Sequence, residues 1–192
     1  MAEAKVGGQL RRTEQSLRDA LLGLIIERGY EKTSVQDILD RAYVGRATFY
    51  AHYRNKEDLL KRSLDILREH LSGDWTAAGG SSALPAPMPF SLAFFRHVDE
   101  HRRLYRAVVG RESGTIVQRE MRRLLVDLVK AELAGRDGRA RDQMRLELNA
   151  QYVAGALLAI VTWWLDRNIK LSPEEMDSAF RKMTTAAIEA GG

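Results

Sequence analysis

The stretch "TSVQDILDRAYVGRATFYAHYRNKEDLL", Thr33 to Leu60, decides how this chain is read. Val35, Ile38 and Leu39 recur at helical spacing, and Ser34 stands before them with Asp37 three residues on, the pattern of a capping box. The spacing predicts a short helix from Val35 to about Arg41, then a turn at Ala42–Tyr43. A second short helix follows, with Val44, Phe49 and Tyr53 as its apolar positions; Phe49 and Tyr53, four apart, share a face. Asn55 then caps a further helix, with Asp58 at the reciprocal position and Leu59, Leu60, Leu64 and Leu67 along one stripe.

If Phe49 and Tyr53 face a core, Arg46, Ala47 and Thr48 are free at the N-terminal end of their helix. Helix-turn-helix proteins present that end to base edges in the major groove. Arg46 has the reach and the two-donor fork for guanine O6 and N7, while Ala47 and the Thr48 methyl suit a thymine methyl. Tyr50 and His52 carry donors that suit phosphate oxygens. Lys56 opens the next helix, where its charge opposes the helix dipole, an arrangement that a nearby phosphate would relieve. A solvated helical hairpin satisfies the same periodicity without any nucleic acid.

Working outward, Leu17, Leu21, Leu24 and Ile25 form a helix that Gly29 ends in the usual C′ position. Beyond residue 70 the composition changes abruptly. "SGDWTAAGGSSALPAPMP", Ser72 to Pro89, reads as a long loop, either open or folded over a pocket as a lid. Helical patterns resume over Ser91–Val109, with a break near His101, and over Thr115–Leu133. "AGRDGR" is a second loop, Arg141–Ile169 a long helix, and Ser172–Pro173 the start of a last one, with Ser as cap and Pro at N1. No alternating strand pattern or internal repeat is present. The expected fold is all-α, with about nine helices: a helix-turn-helix unit over 1–70, from which the fourth helix leads out, and a helical unit over 71–192.

The 192 residues include no cysteine, which excludes disulfides and Cys-ligated zinc or iron–sulfur sites and fits a reducing cytoplasm. The stretch "MAEAKVGGQLRR" lacks the apolar core of a secretory signal. A net charge of +4 permits an anionic partner, yet residues 1–62 hold twelve Lys/Arg against nine Asp/Glu, so a basic face must come from placement. "LNAQYVAGALLAIVTWWL", Leu148 to Leu165, is uncharged over about eighteen residues, the lower limit for a membrane span. Its Asn149, Gln151, Gly155 and Thr162 argue instead for a helix between two protein layers, with no membrane partner.

"HVDEH", His97 to His101, has the H-x-x-E-H order of one zinc peptidase class. Zinc catalysis needs a third protein ligand from elsewhere. No phosphate loop, nucleophile elbow or acid pair accompanies the motif. The expectation is no enzyme, no cofactor and no metal.

The Thr33–Leu60 stretch closely resembles the DNA-binding region of the tetracycline-repressor (TetR) family of bacterial transcription regulators. The resemblance lies in Thr33, Val35, Ile38, Ala42, Val44, Thr48, Phe49, Tyr50, His52, Tyr53, Asn55, Lys56 and Leu59, and covers about fifty residues once the first helix is included. It implies contacts to bases or backbone from Gln36, Arg46, Ala47, Thr48, Tyr50 and His52, and to phosphate from Ser34 and Lys56. Two residues depart from the family pattern. Tyr43 stands where glycine is usual in the turn: either it is strained, if φ is positive, or its ring adds a DNA contact. Gly45 replaces a serine cap and is a weaker one.

The resemblance further implies a C-terminal domain that binds a small-molecule effector and dimerises through its last two long helices. The chain would then be a homodimeric repressor on a palindromic operator in double-stranded DNA; the alternative is an accessory DNA-binding protein without a ligand. Leu157, Ile160, Val161, Trp164, Met176, Phe180 and Met183 are the expected dimer contacts. Phe94, Phe95, His97, Tyr105, Met121, Leu125, Tyr152 and Trp163 are the expected pocket lining.

Overall fold

A computed structural model describes residues 2–77, 88, 90–109, 115–136 and 143–190. Nine helices and no strand occur among the described residues: α1 (Ala2–Arg28), α2 (Val35–Ala42), α3 (Arg46–His52), α4 (Lys56–Ala77), α5 (Phe90–Glu100), α6 (Arg102–Val109), α7 (Thr115–Arg136), α8 (Gln143–Asp166) and α9 (Pro173–Ala190). The expected break near His101 is present between α5 and α6. The expected Ser72–Pro89 loop is helical at its start, because α4 continues to Ala77, and the expected "AGRDGR" loop is helical at its start, because α7 continues to Arg136; residues 78–87, 89 and 137–142 lie outside the described residues.

Local chemistry sets these boundaries. Gly29, at φ 83°, ends α1, donating its N–H to the Ile25 carbonyl at 3.0 Å. Ser34 caps α2: its Oγ accepts from the Asp37 N–H at 3.1 Å, while the Asp37 carboxylate accepts from the Ser34 N–H at 2.7 Å. Arg28 joins the same carboxylate at 2.8 Å. The Ser34 hydroxyl, then its N–H, then Arg28 lower the Asp37 pKa from the ordinary 3.8 to about 2. Because the folded value lies below the unfolded one, this carboxylate stabilises the fold fully above about pH 4, and the contribution disappears as pH falls towards 2. Thermal stability should therefore drop across that window, and Asp37→Asn should flatten the drop while lowering stability at neutral pH. An Asn variant with the parental acid profile would contradict this.

Asn55 accepts from the Asp58 N–H at 2.9 Å to start α4. Ser172 and Glu175 form a second reciprocal pair ahead of α9, with Pro173 at its first position.

The N-terminal core joins Leu17, Leu21 and Ile25 of α1 to Ile38 and Leu39 of α2, Phe49 of α3, and Leu59 and Leu60 of α4, all buried. Behind it, the same apolar cluster continues along α4 into the C-terminal half. There Phe95 meets Trp164 edge-on at 5.9 Å and Phe180 at 6.0 Å, and Phe94 meets Tyr105 at 5.7 Å. The α8 helix supplies Val153, Leu157, Val161 and Trp164 to this core, packing against α7 on one side and α6 and α9 on others. It is long and apolar enough to cross a membrane by composition, but these residues make it a core helix of the fold. The indole N–H of Trp164 donates to the Leu171 carbonyl at 3.2 Å, and Arg102 stacks on its ring, 4.6 Å from the centroid.

This packing corrects part of the expected dimer surface. Leu157, Val161, Trp164, Met176 and Phe180 are buried within their own protomer and cannot face a partner; Ile160 is half-buried, and only Met183 stands exposed. A helix apolar on all sides does not reveal its phase, and the phase adopted is the reverse of the expected one. The outward sector of α8 carries Met144, Leu148, Tyr152 and Trp163 instead.

Candidate functional site

The α3 helix spans seven residues, too few to hold itself together in water. Its position rests on Phe49, fully buried, whose ring lies 5.3 Å from Tyr50 edge-on and 5.6 Å from Tyr53. With that face inward, Arg46, Ala47, Thr48 and Tyr50 are exposed on the other, and His52 is half-exposed at its end. Gly45, at φ −69° and ψ 149°, caps α3 through its backbone alone. Arg46 Nη2 donates to Gln36 Oε1 at 3.2 Å, and Gln36 Nε2 donates to Asp40 Oδ1 at 2.7 Å. A relay from α2 thus aligns the guanidinium along the exposed face. Any base contact by Arg46 exchanges this exposed hydrogen bond for a new one, at small cost.

Tyr43 adopts φ 54° and ψ 41°, the left-handed region, and closes α2 by donating its N–H to the Leu39 carbonyl. Its ring is 96% exposed, projecting into solvent beside α3. An L-residue with a Cβ in this conformation costs about 1–2 kcal/mol relative to the right-handed one, a penalty glycine avoids. Tyr43→Gly should accordingly raise unfolding free energy by ~1 kcal/mol and, if the ring touches DNA, weaken DNA binding at the same time. Denaturant unfolding and a binding titration on the same variant separate the two effects; lower stability would contradict the strain.

Lys56 is corrected. Its ammonium donates to the carbonyls of Tyr30 at 2.9 Å and Thr33 at 2.8 Å, with that of Glu31 at 3.5 Å, and lies 4.3 Å from the centroid of the Tyr30 ring. The carbonyls of the α1–α2 turn occupy its donors, which explains a lysine in a helix's first turn without a phosphate. Ser34 likewise spends its side chain on the α2 cap, although it remains exposed. No spacing rule signals the lysine's role, because its acceptors lie 23 to 26 residues upstream.

A cavity of about 430 Å³ lies behind this unit, walled by α1, α4, α5, α6 and α7. Leu22, Leu67, Leu104, Val108 and Met121 make it largely apolar, and Arg18, Asp19, His70, His97, Glu100 and His101 supply polar atoms. The Tyr105 hydroxyl is buried without a hydrogen-bond partner among the described residues, and burial pushes its pKa far up, so it stays protonated. Burial, then His101 and His70, hold His97 down at about 4, leaving it neutral near pH 7. Of the expected lining, His97, Tyr105 and Met121 border this space, whereas Phe94, Phe95 and Leu125 are buried core that does not line it. Tyr152 and Trp163 are corrected: both are about half exposed on the outward face of α8. A wider cleft of about 850 Å³ between the end of α1 and α6 is walled by charges of both signs, Glu27, Arg28, Glu31, Lys32, Arg103 and Arg106, together with Ile25, Ile26, Tyr30 and Ala107.

Around His97, three potential ligand atoms converge. One each from His97, Glu100 and His101 lie within 4.8 Å of one another, a convergence that the expectation of no metal did not anticipate.

Residues 17–62 match the family described as bacterial regulatory proteins, tetR family, and residues 86–186 match that of a transcriptional regulator C-terminal region. An uncharacterized HTH-type transcriptional regulator of Bacillus subtilis, YxbF, is 35% identical over 75 residues, 36% of this chain and 20% of its own length. The chain spans between 20% and 48% of the length of the curated relatives it matches. A TetR transcriptional regulator from Streptococcus agalactiae superimposes with a TM-score of 0.66 at 23% identity, over 96% of this chain and 99% of that one. The FadR regulator of Bacillus subtilis, solved in complex with stearoyl-CoA, does so with a TM-score of 0.63 at 19% identity, over 88% and 96%. At such identities the likeness concerns the fold.

Proposed function

Since the chain belongs to the TetR family of bacterial transcription regulators, we propose that it represses transcription as a homodimer on an inverted-repeat operator and is released by a small, largely apolar molecule. The α3 helix enters the major groove, with Arg46, Ala47 and Thr48 towards base edges and Gln36, Tyr43, Tyr50 and His52 flanking them. Ser34 and Gly45 approach the phosphate backbone through their exposed atoms. Two such helices, related by a two-fold axis, sit about one DNA turn apart. Acting on chromosomal DNA places the protein in the cytoplasm.

The partner copy seats on α8. Met144, Leu148, Tyr152 and Trp163 fall within a sector of roughly 100° along about 28 Å of helix, an apolar stripe that a second copy's stripe complements. Met183 of α9 is exposed as well.

The observation that carries the release step is the position of the cavity. Its walls come from α1 and α4, which bear on the DNA-binding unit, as well as from α5, α6 and α7. Glu57 pairs with Arg119 at 3.1 Å and Asp127 with Arg68 at 3.1 Å, so α4 and α7 are also joined at the surface. A ligand that separates these helices turns α4, and with it the spacing of the recognition helices. It shifts the equilibrium only as far as it binds the two spacings unequally. The crystallised FadR complex, which holds stearoyl-CoA, supports a ligand with a long apolar part, and His97 on the cavity wall supports one polar group on it. Residues 1–70 form the DNA-reading unit and 71–192 the effector and dimer unit, with α4 running through the division.

Arg46→Ala tests the groove assignment. It should relax base preference at one position of each half-site, costing ~1–3 kcal/mol per half-site against the preferred sequence and little against others. Retention of the parental preference in a panel of single-base operator variants would sink the assignment.

A further inference from the structure

We propose that His97, Glu100 and His101, at the junction of α5 and α6, form a binding site for a divalent transition-metal ion on the rim of the cavity. This goes beyond the repressor reading and does not depend on it. The spacing i, i+3, i+4 puts the three side chains on one helical face, and their ligand atoms already lie within 4.8 Å of one another. Although α5 ends at Glu100, the His101 N–H still donates to the His97 carbonyl at 3.1 Å, so the helical register persists through the third donor.

The orientation of His101 is a second, independent observation. Its Nδ1 lies 3.0 Å from the His97 carbonyl oxygen. A carbonyl accepts and does not donate, so this contact selects the tautomer with hydrogen on Nδ1. The lone pair then resides on Nε2, the atom left for a metal. Histidines that ligate metals are oriented in this way, by donating the other ring N–H to a carbonyl or carboxylate. His70 brings a third imidazole from α4, its ring centroid 6.0 Å from that of His97. Three of the chain's four histidines thus gather at one place.

Two imidazoles and a carboxylate select zinc, cobalt, nickel or copper over magnesium or calcium, which prefer oxygen donors throughout. Three protein ligands leave at least one position of a tetrahedral ion open, facing the cavity or solvent. An ion held here fixes the α5–α6 junction, which forms one wall of the cavity.

Metal-free full-length protein titrated with Co2+ reads the site directly, with no DNA present. The expected result is one ion per chain with visible absorption bands, displaced by Zn2+. His97→Ala and His101→Ala should each weaken binding about tenfold or more, since removing even an outer-shell partner weakens metal sites about 10- to 100-fold. Should either variant fail to fold, imidazole nitrogen shifts in the unaltered protein provide the second readout, with Zn2+ moving the signals of His97 and His101. No saturable Co2+ binding, unchanged affinity in a folded double variant, or Zn2+ shifts confined to other residues would each overturn the site. None of these outcomes touches operator binding, which is measured separately.

Discussion

Phe49→Ala should destabilise the N-terminal unit by about 3–5 kcal/mol and abolish specific DNA binding, the usual cost of emptying a buried aromatic position. The effect is concentrated because Phe49 is the buried side chain within α3. The helix is seven residues long, and its cap residue, Gly45, makes no side-chain hydrogen bond. The ring at position 49 is fully buried and contacts Tyr50 and Tyr53, so it sets both the inclination of α3 and the direction in which Arg46 to Thr48 point. Removing it leaves a void of aromatic size in the apolar cluster to which Phe49 belongs, beside Tyr53. Chemical denaturation followed by a binding titration with any duplex the parent prefers checks both halves. A variant within 1 kcal/mol of the parent would mean that α3 is held by contacts other than this ring.

A double substitution on the outward face of α8, Leu148→Glu with Trp163→Glu, is expected to convert a dimer to monomers. Both residues are exposed in the single chain, at 66% and 49%, so the new carboxylates cost the protomer little. In a two-fold interface each change appears twice, placing four like charges within an apolar contact. Operator affinity should fall about 10²–10⁴-fold, because a monomer loses the effective concentration supplied by its tethered twin. Sedimentation velocity reads the assembly state, and circular dichroism confirms that the helices persist. Retention of a dimer would move the interface elsewhere; Trp164→Glu is no substitute test, since that ring is buried in the core.

How far the fold was legible depended on whether a feature was local. Helix starts were legible at Ser34–Asp37, Asn55–Asp58 and Ser172–Pro173, because a cap is chemistry within four residues. The same holds for Gly29, where a left-handed C′ position calls for a residue without Cβ. The inward face of α3 was legible as well, since Phe49 and Tyr53 are its large apolar side chains amid polar ones. The phase of α8 was not. Its apolar residues surround the helix, and only the packing of α5, α6, α7 and α9 shows that Trp164 points in while Trp163 points out. The partners of Lys56 are not legible either, because the α1–α2 turn that folds back within 3 Å of its ammonium lies far upstream in the chain. The His97, Glu100 and His101 group at the α5–α6 junction has its order written in "HVDEH", whereas the His70 ring beside it comes from α4, 27 residues earlier in the chain.

Selection of binding sequences from a pool of random DNA duplexes, with purified protein and no added ligand, tests the central proposal most directly. It predicts enrichment of an inverted repeat whose half-site centres lie about one helical turn, ~10 base pairs, apart. Recovery of single half-sites without symmetry, or of no preferred sequence from a folded protein, would contradict the dimeric operator-binding regulator.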